Sequence, residues 1–187
     1  AWGRESVTMR DIQAYKPKNN SICSGQVLFK DYPFDEALVV VKEMGDDIAL
    51  QLSRKKKKAA GITLGVGMAG RSGGGGRHMS YSFPSPTQND LAFRDIAARL
   101  FVSMVGKDEY VRRFMISLSG IVDDNDPVQL DLFLDNEESK KRESIQKAIL
   151  SIKDTYGKNA ILKGMDYEEG ATQRERNVQI GGHKSGV

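Results

Sequence analysis

The chain has 187 residues, 39% of them apolar and 28% charged, which is enough for one ordinary domain with an appendage. No apolar run approaches the ~20 residues that span a bilayer, and the first residues do not read as a signal peptide, so no membrane partner is expected; the charged content predicts a soluble chain, the lone cysteine fits a reducing cytoplasm, and a monomer is expected. The net charge of +3 is small, and one cysteine (Cys23) with two histidines (His78, His183) excludes an internal disulfide and argues against a structural zinc site.

Residues 1–20 are polar and irregular, with Lys16-Pro17-Lys18 and Asn19-Asn20 marking a linker. Ala1-Trp2-Gly3 suggests a start inside a longer protein. Ser21–Phe29 is predicted as a strand with Cys23, Val27 and Phe29 facing the core and Ser24 and Gln26 facing out, although Ile22 and Leu28 fall on the polar side. A helix follows from Pro33-Phe34-Asp35, with Ala37, Val41, Met44, Ile48 and Leu52 on its apolar stripe and Lys55–Lys58 at its negative end. Gly45 weakens its middle.

Gly61–Ala69 alternates cleanly: Ile62, Leu64, Val66 and Met68 on one face, Thr63, Gly65 and Gly67 on the other. Arg77–Phe83 is its return strand across the Gly73–Gly76 tip, with Met79, Tyr81 and Phe83 opposite His78, Ser80 and Ser82. Thr87-Gln88-Asn89-Asp90 resembles a capping box for a helix through Phe93, Ala97, Leu100 and Met104. The last strand, Val111–Val122, turns Phe114, Ile116 and Leu118 inward and Met115, Ser117 and Ser119 outward. The order β-α-β-β-α-β predicts an α+β domain over 21–122: a four-stranded antiparallel sheet with both helices on one face. An acidic linker spans 123–138, and 139–187 holds a helix from about Lys140 to Tyr156, capped by Gly157, then a polar end expected to be disordered from Gln173.

Function belongs on the sheet face without helices. Its expected residues, among them Ser24, Gln26, Thr63, Gly65, Ser80 and Ser117, are small and rich in hydroxyls. Such a face lets a duplex approach and donates to phosphate oxygens without reading sequence. Ser21 opens the first strand, while Lys18, Lys30, Arg71, Arg77 and Arg113 sit at the edges to supply salt-dependent attraction. Outward aromatics are missing, which argues against the base-stacking use of this topology in RNA-recognition domains. Charge segregates along the chain as well: no acidic residue lies between Arg54 and Asn89, and no basic one between Ile121 and Glu138. This suits either a polyanion partner for the first part or two solvated surface runs.

Gln129-Leu130-Asp131-Leu132-Phe133 places three large apolar residues in the acidic stretch, where they either fold back on the core or fill a partner's pocket. All five positions resemble the bacterial sliding-clamp-binding motif. Upstream, Trp2-Gly3 resembles the end of a thumb, and Ser21-Ile22 the start of the little finger, in Y-family, UmuC/DinB-type translesion DNA polymerases. Glu175-Arg176-Asn177-Val178-Gln179-Ile180-Gly181-Gly182-His183 is similar to the C-terminus of the UV-damage repair branch in Gram-positive bacteria. Cys23 departs from the Gly usual after Ser-Ile in that family.

The resemblance implies a little finger fragment that holds primer–template double-stranded DNA along the major groove. It implies a sliding-clamp tether in which Gln129 makes rim contacts while Leu132 and Phe133 fill the pocket. The parent would be an error-prone DNA polymerase of the SOS response to DNA damage. Its Mg ions would be held by palm carboxylates preceding Ala1, leaving this fragment catalytically inactive and without a cofactor of its own. Asp123, Asp124 and Asp126 have no calcium-loop pattern, and Cys23 is expected in the core. The alternative class is an ACT-like regulatory or protein-interaction module without affinity for nucleic acid.

Overall fold

Four long strands carry the architecture: β1 (Ile22–Tyr32), β2 (Lys57–Met68), β3 (Gly76–Thr87) and β4 (Val111–Asp123). The computed structural model describes residues 7–15, 21–70, 75–124, 136–180 and 183–184. The strands form one antiparallel sheet in the order β1-β4-β2-β3, so β4 enters between the first two. A short helix, α1 (Met9–Ala14), precedes the sheet; α2 (Phe34–Lys55) and α3 (Asp90–Met104) pack on one face of it, as the sequence predicts.

α2 is long because its signals agree. Pro33 precedes it, Asp35 and Glu36 lie in its first turn, and Arg54 and Lys55 lie in its last. It ends at Lys56, a non-glycine residue at φ 53°, whose N–H reaches the carbonyls of Leu52 and Ser53. Gly45, which weakens the isolated helix, is explained by α3. A methyl group there would stand 2.8 Å from Arg94 Cα, so the glycine sets the crossing distance of the two helices. The N-cap of α3 is Asn89, accepting from the N–H groups of Leu91 and Ala92, rather than the expected Thr87, which accepts from Asn89 N–H. Ala37, Val41, Met44, Ile48, Leu64, Phe93, Ile116 and Leu118 are fully buried between helices and sheet.

The C-terminal region differs from expectation. α4 (Asn136–Tyr156) begins four residues earlier than predicted and attaches by a polar anchor. Gln146 is buried, donates to the Gln88 carbonyl and accepts from the Ser53 hydroxyl, while Ile145, Ile152 and Tyr156 of the apolar stripe stay exposed. Gly157 ends this helix at φ 97°, as expected. The chain then runs back over α2 through a 3-10 turn (Gly164–Tyr167) to α5 (Gln173–Asn177), so the expected disorder from Gln173 is overturned over α5. β5 (Gln179–Ile180) and β6 (His183–Lys184) form a small ribbon beyond it.

The fastening is a buried carboxylate. Glu43 of α2 accepts from Thr172 N–H at 2.8 Å, the Thr172 hydroxyl at 3.1 Å and Gln173 N–H at 3.2 Å. Nearby, Lys163 Nζ stands 2.8 Å from both Asp46 and Asp90, tying the returning segment to α2 and α3 together. Burial pushes Asp46 from 3.8 to about 6, against the pull of Lys163. Burial also opposes ionisation of Asp90, but there the hydrogen bond and charge of Lys163, with Arg142 and Leu91 N–H, outweigh it and hold Asp90 below its ordinary value.

Candidate nucleic-acid interface

The face away from the helices is built in cross-strand rows. Cys23, Ser117, Thr63 and Ser80 stand side by side on β1, β4, β2 and β3. The next row is Gly25, Met115, Gly65 and His78; beyond it come Val27, Arg113, Gly67 and Gly76. On the other side, Ser119, Gly61 and Ser82 complete the surface. Thr63, Gly65, Ser80, Ser117 and Arg113 therefore stand where the alternation of their strands puts them.

Two internal contacts organise the central row. Thr63 and Ser80 share a hydrogen bond of 2.8 Å, and Cys23 Sγ lies 3.1 Å from Ser117 Oγ. A hydroxyl has one hydrogen to donate and two lone pairs, so each pair keeps one hydrogen free to donate outward. Both pairs are presented at fixed positions across the full width of the sheet. Phosphate oxygens are suitable acceptors for such a row. Arg113 lies across Gly67, occupying the space that a side chain there would need. The glycine thus lets the guanidinium stem lie flat on the sheet and carries positive charge towards its middle.

β1 reverses the expected parity. Cys23, Val27 and Phe29 are on the open side, with Val27 69% and Phe29 59% exposed, while Leu28 is buried. Ser24 and Gln26, expected on the open face, instead point to the helix side. There Arg176 of α5 reaches to 3.5 Å from Ser24 Oγ, and the Thr172 hydroxyl lies 3.4 Å from Gln26 Oε1. Cys23 is accordingly exposed rather than a core residue. Ile22, Leu28 and Tyr32 share one parity: Leu28 and Tyr32 are buried on the helix side and Ile22 packs against the core there, which leaves Cys23, Val27 and Phe29 to the open side. The open face therefore carries Val27 and Phe29 along β1, which the sequence pattern did not place there, beside Met115 of β4, which it did.

The edge charges are divided. Arg77 is held by Glu109 through two contacts of 2.7 Å and donates to the Met104 carbonyl at 2.6 Å, at the helix side of β3 rather than over the open face. The hydrogen bond from Arg77, with Gly106 N–H, lowers Glu109 to about 2. Lys30 pairs with Glu36 at 3.2 Å and stacks over Tyr32. Ser21 is exposed beside the start of β1. Lys18, Arg71 and the pentapeptide Gln129, Leu130, Asp131, Leu132 and Phe133 lie outside the described residues.

The basic and acidic runs meet. Lys57 pairs with Asp123 at 2.5 Å and Lys58 with Asp124 at 2.9 Å where β2 and β4 end together. Asp123 and Asp124 are thus partners of lysines. Among the described residues, no group of three or more His, Cys, Asp or Glu is arranged to hold a metal ion, and no helix is long and apolar enough to cross a membrane.

A family model described as the impB/mucB/samB family C-terminal domain matches residues 19–132, from before β1 to within the pentapeptide. The chain belongs to this family. It is the Y-family, UmuC/DinB-type group that its motifs resemble. The putative UV-damage repair protein UvrX of Bacillus subtilis (strain 168) is 32% identical over 167 residues, covering 88% of this chain and 39% of its own length. The chain therefore spans well under half of that relative. Among solved structures, the little finger domain of PolIV in complex with the beta-clamp processivity factor matches at a TM-score of 0.43 and 13% identity, over 62% of this chain and 100% of the other. An insertion ternary complex of Dbh DNA polymerase matches at 0.42 and 18%, over 60% of this chain and 33% of the other. Membership of this Y-family group sets aside the ACT-like alternative.

Proposed function

We propose that this Y-family domain holds primer–template duplex DNA, without reading sequence, on the open face of its sheet. In the same proposal Gln129–Phe133 tethers an error-prone translesion polymerase to the sliding clamp during repair of damaged DNA. The observation that carries the DNA part is the row Cys23–Ser117–Thr63–Ser80, with Arg113 laid over Gly67 beside it. The row consists of small polar side chains whose hydroxyls keep a hydrogen to donate outward. The domain contributes grip and position. Nucleotide addition, with its Mg ions, would be the work of a palm domain in the parent protein.

The DNA contacts of this proposal are Thr63, Ser80, Ser117 and Arg113, with Gly65 leaving room for the backbone. The clamp part rests on the five-residue match in the sequence. Two measurements test the proposal. Duplex affinity should fall steeply between ~50 and ~200 mM salt, and Arg113→Ala should reduce the slope of log affinity against log salt by about 0.9, one phosphate contact. Binding to purified bacterial sliding clamp should be saturable, and Leu132→Ala with Phe133→Ala should abolish it. A salt-independent duplex affinity would overturn the first part, and clamp binding retained by the double variant the second.

A further inference from the structure

Behind the sheet, where the returning C-terminal segment meets α2, lies an open cleft of about 500 Å³. Its charge is one-sided. Arg54 and Lys55 come from the end of α2, Lys153 from α4, Lys158 from the turn after it and Arg176 from α5; Asp47 is the carboxylate in the lining. Arg54 is engaged by Asp154 at 2.6 Å, and Arg176 stands 3.7 Å from Asp47. Among the described residues, no carboxylate lies within ion-pairing distance of the ammonium groups of Lys55, Lys153 or Lys158. Lys153 donates to a backbone carbonyl, that of Lys158, at 2.7 Å. Burial disfavours the charged form of Lys153 and lowers its ordinary value, against the more distant pull of Asp166 and Asp47. A half-buried ammonium satisfied by one carbonyl, beside two free lysines, is a stored preference for an anion.

The position of the cleft narrows the kind of anion. Gly25 of β1 lines it and also belongs to the open face, in the row with Met115, Gly65 and His78. The cleft therefore opens beside the outer edge of the sheet that is proposed to hold duplex. Its lining contains no aromatic side chain, so it offers charge and amide groups (Gln51, Gln173, Asn177) but nothing on which a base could stack. A sugar–phosphate chain is a better match than free bases.

We infer that the cleft between α2, α4 and α5 is a second phosphodiester-binding site, which takes the single-stranded extension of a nucleic acid whose duplex part lies on the open face. This rests on the duplex reading above. It gives the C-terminal segment a function of its own: α4, the turn after it and α5 supply three of the five cations, and the Glu43 and Lys163 fastenings hold them in place. Three lysines without a carboxylate within ion-pairing distance imply that binding an extension adds about two to the salt slope at ~0.7 per single-strand contact.

The test compares three DNA ligands on the full chain: a blunt duplex, the same duplex with a single-stranded extension, and the single strand alone. The extension should tighten binding several-fold at low salt. Lys55→Glu with Lys158→Glu, both at exposed positions, should remove that gain and leave blunt-duplex affinity unchanged. Lys153→Met is the second variant, with thermal unfolding as a control for fold. Equal affinity for blunt and extended duplexes in the native chain, or a gain that survives the double variant, would overturn the inference. Loss of blunt-duplex binding alone, with the single strand still bound through Lys55 and Lys158, would instead overturn the duplex reading. Polyglutamate binding to the native chain without any extension gain would assign the cleft to acidic peptides and overturn the nucleic-acid inference.

Discussion

The two faces of the sheet treat polar groups in opposite ways. On the open face, hydroxyls pair with each other in the row from Cys23 to Ser80 and remain accessible, so their exposed hydrogens cost nothing in desolvation. On the helix face, carboxylates are buried: Glu43 is satisfied by backbone and hydroxyl donors, and Asp46 and Asp90 share one lysine. Their charges are expensive to bury and need every partner they have. The proposed duplex surface and the structural fastening are thus separated by the thickness of one sheet. Substitutions on one side should therefore leave the property of the other side intact.

The largest expected effect is on the helix side and depends on pH. With the folded-state value of Asp46 raised from 3.8 to about 6, the folded chain holds that proton more tightly than the unfolded one. Its stabilising contribution is full below about 4 and is lost as pH rises through about 6, on the order of 3 kcal/mol in total. Asp90 has the opposite sign: its contribution is present at neutral pH and is lost as pH falls through its lowered value. Urea unfolding from pH 4 to 7 should show the Asp46 slope, and Asp46→Asn should flatten it while duplex affinity stays the same. An unchanged slope in the variant would place the pH dependence elsewhere.

Gly45→Ala comes next. The added methyl meets the α3 backbone at Arg94, which cannot yield as a side chain would, and should cost about 2 kcal/mol in chemical denaturation. Affinity per folded molecule should not change. Thr63→Glu makes the complementary test on the open face. A carboxylate in the central row should weaken duplex binding by about tenfold, ~1.4 kcal/mol, with a melting temperature close to that of the native chain. If Thr63→Glu unfolds the domain instead, the separation of faces fails. The smallest effect expected is Lys56→Gly, which relieves the left-handed backbone at the end of α2 and should stabilise the chain by about 1 kcal/mol without affecting either ligand.

Three of the four strands were legible because their alternation is unambiguous. Val66, Leu64 and Ile62 on β2 fix Thr63 and Gly65 on the other face, and Phe114, Ile116 and Leu118 do the same for Ser117 on β4. β1 has large apolar residues at both parities, so alternation cannot orient it. Tyr32, beyond the predicted end of the strand, adds a third large residue to the parity of Ile22 and Leu28 and is buried with Leu28. The C-terminal segment was illegible for a different reason. Thr172 and Gln173 are buried by what they donate to Glu43, which is 129 and 130 residues away in sequence, and polar residues engaged this way look like a solvated end. The Arg77–Glu109 contact was equally hidden, because the turn that presents Glu109 is irregular.

The lysine–aspartate pairs at the ends of β2 and β4 meet a further contact at the same corner. Asp124 is pegged to Lys58 and also accepts from the Gln88 side-chain amide at 3.1 Å. The backbone carbonyl of Gln88 in turn accepts from Gln146 of α4. A single residue between β3 and α3 thus joins the end of β4 to the C-terminal helix, as a keystone joins two arms of an arch. Removing its amide would loosen two elements that lie far apart in sequence, one from its last ion pair and the other from its buried anchor.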